Sequence, residues 1–294
     1  MAIKVMQLAL VLSTGVFGVI FVLDVWKNRT KLTKQAMWKF LLLGLVFDFF
    51  DTLGIGCFAP TTSAFKLGGM VEDDKIPGTL NVGHCIPIVT EALIFLTVIQ
   101  VDLLTLLAMI GAAVAGAVWG VGIVSRLDLK MIRIGMGIAL FFVAGILLAG
   151  LLHLMPSGGA AVGLTGVKLF FAVAVNFVLG ALMMIGVGQY APCMALTYAL
   201  GMSPKVAFPI MMGSCAFLMP AASIRFIKTQ SYDKKAALGL TLGGIPGVLI
   251  AAFIITSLPL TLLKWLVFAV LIYTAVTMIY SGMKTKLKAE GKAA

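Results

Sequence analysis

One seven-residue pattern occurs twice in this chain, about 130 residues apart, and each time it interrupts a long apolar stretch. The first copy is Gly54, Ile55, Gly56, Cys57, Phe58, Ala59, Pro60, and the second is Gly186, Val187, Gly188, Gln189, Tyr190, Ala191, Pro192. A further pair follows at similar distance: Gly83, His84, Cys85 and then Gly213, Ser214, Cys215. Glycine accepts backbone angles that end a helix, and proline fits the first turn of a new one, so each copy reads as a helix that stops and restarts. A duplicated break of this kind points to two related halves with a transport site between them.

The setting of the breaks is membrane-like. Hydrophobic residues make up 61% of the chain and charged ones 11%, against about 25% charged in soluble domains, and mean hydropathy is +1.12. Stretches of about 20 apolar residues, the length that crosses a bilayer, follow one another with short connections. Candidate spans are 5–25, 79–98, 103–124, 129–152, 204–226, 236–257 and 260–281, with the broken regions 38–67 and 166–200 in addition. No soluble domain is left over. The net charge of +11 sits in four short clusters rather than in a basic domain, which argues against a nucleic-acid partner and for the lipid bilayer. These are Lys27, Arg29, Lys31, Lys34 and Lys39; Arg126, Lys130 and Arg133; Arg225, Lys228, Lys234 and Lys235; Lys284, Lys286, Lys288 and Lys292. By the positive-inside rule all four are cytoplasmic.

Parity then restricts the topology. An even number of crossings must separate the first two clusters, so region 38–67 is expected to enter and leave on one side as a re-entrant hairpin, and 166–200 likewise from the other side. Its second arm, 59–67, makes about 13 Å of helix, too short to span. The expected fold is an all-α polytopic membrane protein of two inverted-topology repeats. Each repeat is a broken-helix hairpin plus three transmembrane helices, and one extra transmembrane helix precedes them. The divisions are 1–36 (first helix and basic loop), 37–155 (repeat 1), 156–165 (linker), 166–283 (repeat 2) and 284–294 (basic tail). The N-terminus is placed outside and the C-terminus in the cytoplasm. Residues 1–26 read as an anchor rather than a signal peptide, because Asp24 and Trp26 close the run without a small-residue cleavage site. Cysteines 57, 85, 193 and 215 lack metal or redox spacing and read as free thiols, with no metal and no cofactor implied.

Each restarted helix directs free N–H groups into the protein, an arrangement suited to an anion. Gly54, Gly56, Pro60, Gly186 and Gly188 shape the breaks; Thr61 and Thr62, with Ser63, add hydroxyls in the first half, and Gln189 and Cys193 add an amide and a thiol in the second. Close helix packing by small residues is the competing explanation of the Gly-x-Gly breaks, and Gly83, His84, Cys85, Gly213, Ser214 and Cys215 are expected at the substrate site with them. Cys85 and Cys215 hold equivalent places and are expected near the axis relating the halves; cysteine also packs simply as a small apolar residue. Ionisable residues within spans are costly and mark function. Asp48, Asp51, His84 and Glu91 are such residues, and all fall in the first half. The matching positions of the second half are Gly180, Met183, Ser214 and Ala221. His84 and Glu91 lie two helical turns apart on one face and suit a proton relay; an Asp48/Asp51 pair capping the hairpin at the membrane surface is the alternative. Arg225 reads as snorkelling to headgroups, and Asn81, Gln100 and Asn176 as interhelical hydrogen bonding.

This duplicated pattern resembles the TauE/SafE family of sulfite exporters. The second half carries it best, through Gly186 to Pro192, Leu200 to Ala207, Ser223 to Phe226 and Gly243 to Gly247, and the likeness covers roughly 40–281. The resemblance implies movement of small sulfur-containing anions, such as sulfite or two-carbon sulfonates, across a bacterial inner membrane. Cys57, Phe58, Gln189 and Tyr190 depart from the family pattern and are expected to line the pocket. The function expected is therefore a secondary transporter, in the export direction, working by alternating access with proton coupling, and not an enzyme. A thiol-based membrane oxidoreductase and a passive anion channel are the alternatives. A homodimer is one assembly left open.

Overall fold

A computed structural model describes residues 2–29, 35–72, 74–120, 129–152, 159–184 and 189–290. These residues form an all-helical fold: α1 (Ala2–Lys27), α2 (Met37–Thr52), α3 (Phe58–Gly68), α4 (Ile76–Val98), α5 (Leu103–Ala115), α6 (Leu129–Leu151), α7 (Gly166–Met184), α8 (Tyr190–Ala199), α9 (Pro204–Lys228), α10 (Lys234–Ser257) and α11 (Leu260–Glu290). Six stretches, within α1, α4, α7, α9, α10 and α11, are long and apolar enough to cross a membrane, the condition a polytopic membrane protein must meet. α9 is mostly buried, while α1 turns Val5, Leu8, Leu12, Val16 and Val19 outward, as expected of a helix that faces lipid.

The first break is where the duplicated pattern put it. α2 ends at Thr52, and Gly54 (φ 95°) and Gly56 (φ 89°) turn the chain through angles that a Cβ disfavours before α3 begins at Phe58. The start of α2 and the end of α3 return to one place: Phe40 and Phe65 meet with ring centroids 6.1 Å apart, in a cluster with Val71, Ile76, Leu80, Ala236 and Leu240. Residues 53–57 are thus the inner tip of a hairpin. α3 has 11 residues, about 16 Å of helix, half of a bilayer core of about 30 Å.

α7 and α8 form a second hairpin. Lys168 Nζ near the start of α7 donates to Leu200 O just beyond α8 (3.4 Å), and Ala161 bridges to Met202. Its open end joins the start of α5, where Asp102 N donates to Val162 O (2.9 Å). Helix α4 connects the two ends of the molecule, from Ile76 in the Phe40/Phe65 cluster to Ile99, three residues before Asp102. The hairpins therefore open at opposite ends.

Small residues let the helices approach closely. α2 lies along α10, where a Cβ added at Gly239, Gly243 or Gly247 would collide with Phe40, Leu41 O or Leu45 O in turn. α7 lies along α5 in the same manner, with Gly180 against Ala113 and Gly116 against Phe177. α4 packs on α9 and α10, α9 also on α5, and α6 on α11. The candidate span 103–124 is not one regular helix: α5 yields at Gly116 to a π turn, Gly116–Gly120, that accommodates Phe177, and residues 121–128, including Arg126, lie outside the described residues. Asp24 of α1 accepts from Tyr232 Oη (2.6 Å) and Gln230 Nε2 (2.9 Å), so Lys27, Lys228 and Lys234 lie at one end of the molecule.

Candidate functional site

The polar residues of the apolar interior converge where the tip of the first hairpin meets α4, α8 and α9. A Cβ at Gly54 would lie 2.5 Å from Met194 Cε of α8 and 3.7 Å from Met211 Cε of α9. Asp48, Asp51, Thr52, Thr61, His84, Glu91, Gln189, Ser214 and Asn176 are all buried there or one turn away.

In the first half, His84 Nδ1 lies 2.7 Å from Asp48 Oδ1 and Nε2 lies 3.2 Å from Thr61 Oγ1. The Thr61 hydroxyl donates its one proton to Cys57 O (2.7 Å), so it accepts from Nε2–H, and a second proton is shared along the Nδ1 to Asp48 line. Asp51 Oδ1 accepts from Cys57 N (2.7 Å). The electropositive start of α3, read from sequence as a place for a bound anion, thus already holds a carboxylate of the chain itself. Asp48 and Asp51 do not cap the hairpin at the membrane surface; they sit at its inner tip, because α2 carries them inward before it breaks. Each keeps one buried oxygen, Oδ2, without a partner among the described residues.

Glu91 joins the halves. Its Oε1 is 2.7 Å from Thr52 Oγ1 and its Oε2 accepts from Tyr190 Oη (3.1 Å). Thr52 Oγ1 also lies 2.8 Å from Asp48 O, and one hydroxyl proton cannot serve both acceptors. All three contacts are satisfied when Glu91 itself carries a proton and donates to Thr52. His84 and Glu91 share a face of α4, yet they connect through Thr52 and Asp48 of α2 rather than directly.

The groups that the second half brings to this cluster are uncharged amides, a hydroxyl and a thiol. Asn176 Nδ2 donates to Met109 O (2.7 Å) and lies 3.3 Å from Ser214 Oγ; Gln189 Nε2 donates to Asn176 Oδ1 (3.2 Å) and Gln189 Oε1 faces Cys215 Sγ (3.8 Å). Cys215 also meets Met183 Sδ at 3.4 Å. Gly186 and Gly188 lie outside the described residues. Asn176 and Tyr190 matter more than their spacing suggested, since the amide reaches both α5 and Gln189 while the phenol reaches across to Glu91.

Other candidates lie elsewhere. Gly83 packs on Leu240 and Ala237, with its carbonyl accepting from Thr241 Oγ1 (2.7 Å), and Gly213 packs on Ile110, so both serve helix contact. Cys85 is buried against Ser223 of α9, and its partners differ from those of Cys215. Cys57 and Cys193 are buried, and all four cysteines are free. Pro60 and Thr62 are half-buried, Ser63 and Arg225 exposed. No protein-family model matches this chain, and no curated protein and no solved structure matches it.

The donor atoms of Asp48, Cys57 and His84 lie within 4.8 Å of one another and are the one set among the described residues spaced to hold a metal ion. An ion there would have to replace the His84 to Asp48 hydrogen bond. With that bond in place the cluster is suited to holding and passing protons between buried carboxyls.

Proposed function

We propose that the protein is a proton-coupled secondary transporter of a small sulfur-containing anion, such as sulfite or a two-carbon sulfonate, working by alternating access around the paired breaks. The observation that carries this reading is the buried cluster at the hairpin tip: two unpartnered carboxylate oxygens, an Asp48 to His84 hydrogen bond, and Glu91 held between α2 and α8. An anion could approach that cluster only when Asp48, Asp51 and Glu91 carry protons, since an additional like charge in an apolar interior is prohibitive. Anion and protons then travel together.

The repeat organisation belongs to the same proposal. Pairing α2 with α7, α3 with α8, α4 with α9, α5 with α10 and α6 with α11 sends the α2/α10 seam onto the α7/α5 seam and the α4/α10 contact onto α9/α5, while α4/α9 and α6/α11 map onto themselves. Hairpins opening at opposite ends support inverted repeats over 37–155 and 166–283. The choice of a sulfur anion rests on the TauE/SafE resemblance.

The test is flux in proteoliposomes with labelled sulfite, thiosulfate, sulfoacetate and taurine. Saturable uptake of at least one, accelerated by an imposed pH gradient and made gradient-independent or abolished by Glu91→Gln, is expected. Absence of flux for the whole panel overturns the substrate, and gradient-independent flux in the parent protein overturns the coupling.

A further inference from the structure

At the end of the molecule where the second hairpin opens lies a cavity of about 270 Å³, between the end of α4, residues 160–162, the start of α9 and the end of α10. Its apolar wall is broken by Gln100, Ser203, Lys205 and Thr256. The Lys205 ammonium and the Gln100 amide have no hydrogen-bond or ion-pair partner among the described residues, although each projects into a shared concavity. Ser203 precedes α9 without capping it through its side chain. Asp102, whose backbone N–H bonds the lining residue Val162, accepts with its carboxylate from Thr105 N (2.9 Å) and Thr105 Oγ1 (2.8 Å).

The floor of the cavity is aromatic. Phe208 lines it and stacks on Phe95 with centroids 5.2 Å apart and planes 18° from parallel. Both rings are fully buried, and Phe95 follows Glu91 by about one helical turn. The stacked pair thus links the wall of the cavity to the helix that carries Glu91.

We propose that this cavity is the vestibule at one mouth of the transport path, where Lys205, assisted by Gln100 and Ser203, holds a small oxyanion beside the Phe95/Phe208 layer. The proposal rests on the transporter reading and names the residue that selects charge. A lone ammonium in a concave, low-dielectric wall concentrates anions locally, in a manner that salt weakens. Its volume suits a sulfonate-sized ion with some of its water rather than a larger metabolite.

A reporter cysteine, Ala160→Cys, tests the charge selection directly, because the four native thiols are buried. Its labelling is followed with two methanethiosulfonates of similar size, one anionic and one cationic, each normalised to a free thiol in solution. The anionic reagent is expected to be favoured about 5- to 10-fold at low salt, the preference to vanish in Lys205→Gln and to return in Lys205→Arg. Sulfoacetate in millimolar excess is expected to slow labelling of the Lys205 protein and not of Lys205→Gln. Equal charge preference with and without Lys205, or protection indifferent to it, overturns the vestibule. Charge-selective labelling in a protein that moves no anion would leave an anion-attracting cavity but remove the transport reading and the vestibule role that rests on it; flux without charge selectivity would keep the transport reading and remove the vestibule.

Discussion

The two sides of the central cluster use one backbone device with opposite chemistry. On the first side the broken hairpin presents Asp48 and Asp51 and α4 presents His84 and Glu91; on the second the matching positions are Gly180, Met183, Ser214 and Ala221, and the polar contacts pass to Asn176 and Gln189. Ionisable groups in an apolar interior respond to pH and to each other, whereas amides hold geometry at fixed charge. Under the proposed function this asymmetry would divide the labour, with protons on the first side and shape and substrate contact on the second. Tyr190 is the crossing point, a second-half phenol bonded to a first-half acid.

That division can be broken in steps. Removing one member of the Asp48/His84 pair by His84→Ala should have the largest effect, because it strands a buried carboxyl; a loss of about 3–5 kcal/mol is expected, read as loss of folded protein in detergent melts. Combining it with Asp48→Asn should cost much less than the sum of the two single changes, and additivity would show that the pair is uncoupled. Glu91→Gln keeps the bonds to Thr52 and Tyr190, so folding should survive while pH-gradient-driven flux falls at least about 10-fold. On the neutral side Asn176→Ala removes two donations and should destabilise by about 1–3 kcal/mol, shifting substrate preference but leaving the pH profile of flux unchanged; a moved profile would end the proposed division.

The smallest effect concerns the caps that open α5 and α10. Asp102 accepts from Thr105 N and Asp233 from Ala236 N (2.8 Å), yet their environments differ. The Thr105 backbone N–H, followed by its hydroxyl, holds the Asp102 carboxyl below the usual aspartate range, while partial burial pushes Asp233 above it. Asp102 thus contributes stability that is present above its unfolded value and fades as pH falls through its lower folded value. Asp233 contributes in the other direction, losing stability as pH rises through its raised value. Asp102→Ala should cost about 1 kcal/mol with the loss largest near neutral pH, and melts at pH 3 and pH 7 would show a smaller difference between variant and parent at the lower pH.

Much of the architecture was legible in the residues. The Gly54 to Pro60 pattern located a helix break to within a residue or two, the short second arm called for a hairpin, and the confinement of acids to one half anticipated the asymmetric centre. Less visible was Asp51 turning back onto Cys57 N, which fills the anion position suggested by the helix start. Gln100 read as a helix-packing residue and instead faces a cavity, since nothing local distinguishes an amide that finds a neighbour from one that does not.

Hydropathy, glycine and proline act over a few residues and nearly independently of the rest of the chain, so the sequence alone determined that this protein is helical, apolar enough for a membrane and twice interrupted. Which groups meet depends on how helices far apart in the chain pack, and that was decided only by the tertiary structure. It brought Tyr190 to Glu91, left two carboxylate oxygens without partners and opened a cavity around Lys205. Buried polar atoms interact over about 3 Å, a distance that spacing along the chain does not encode.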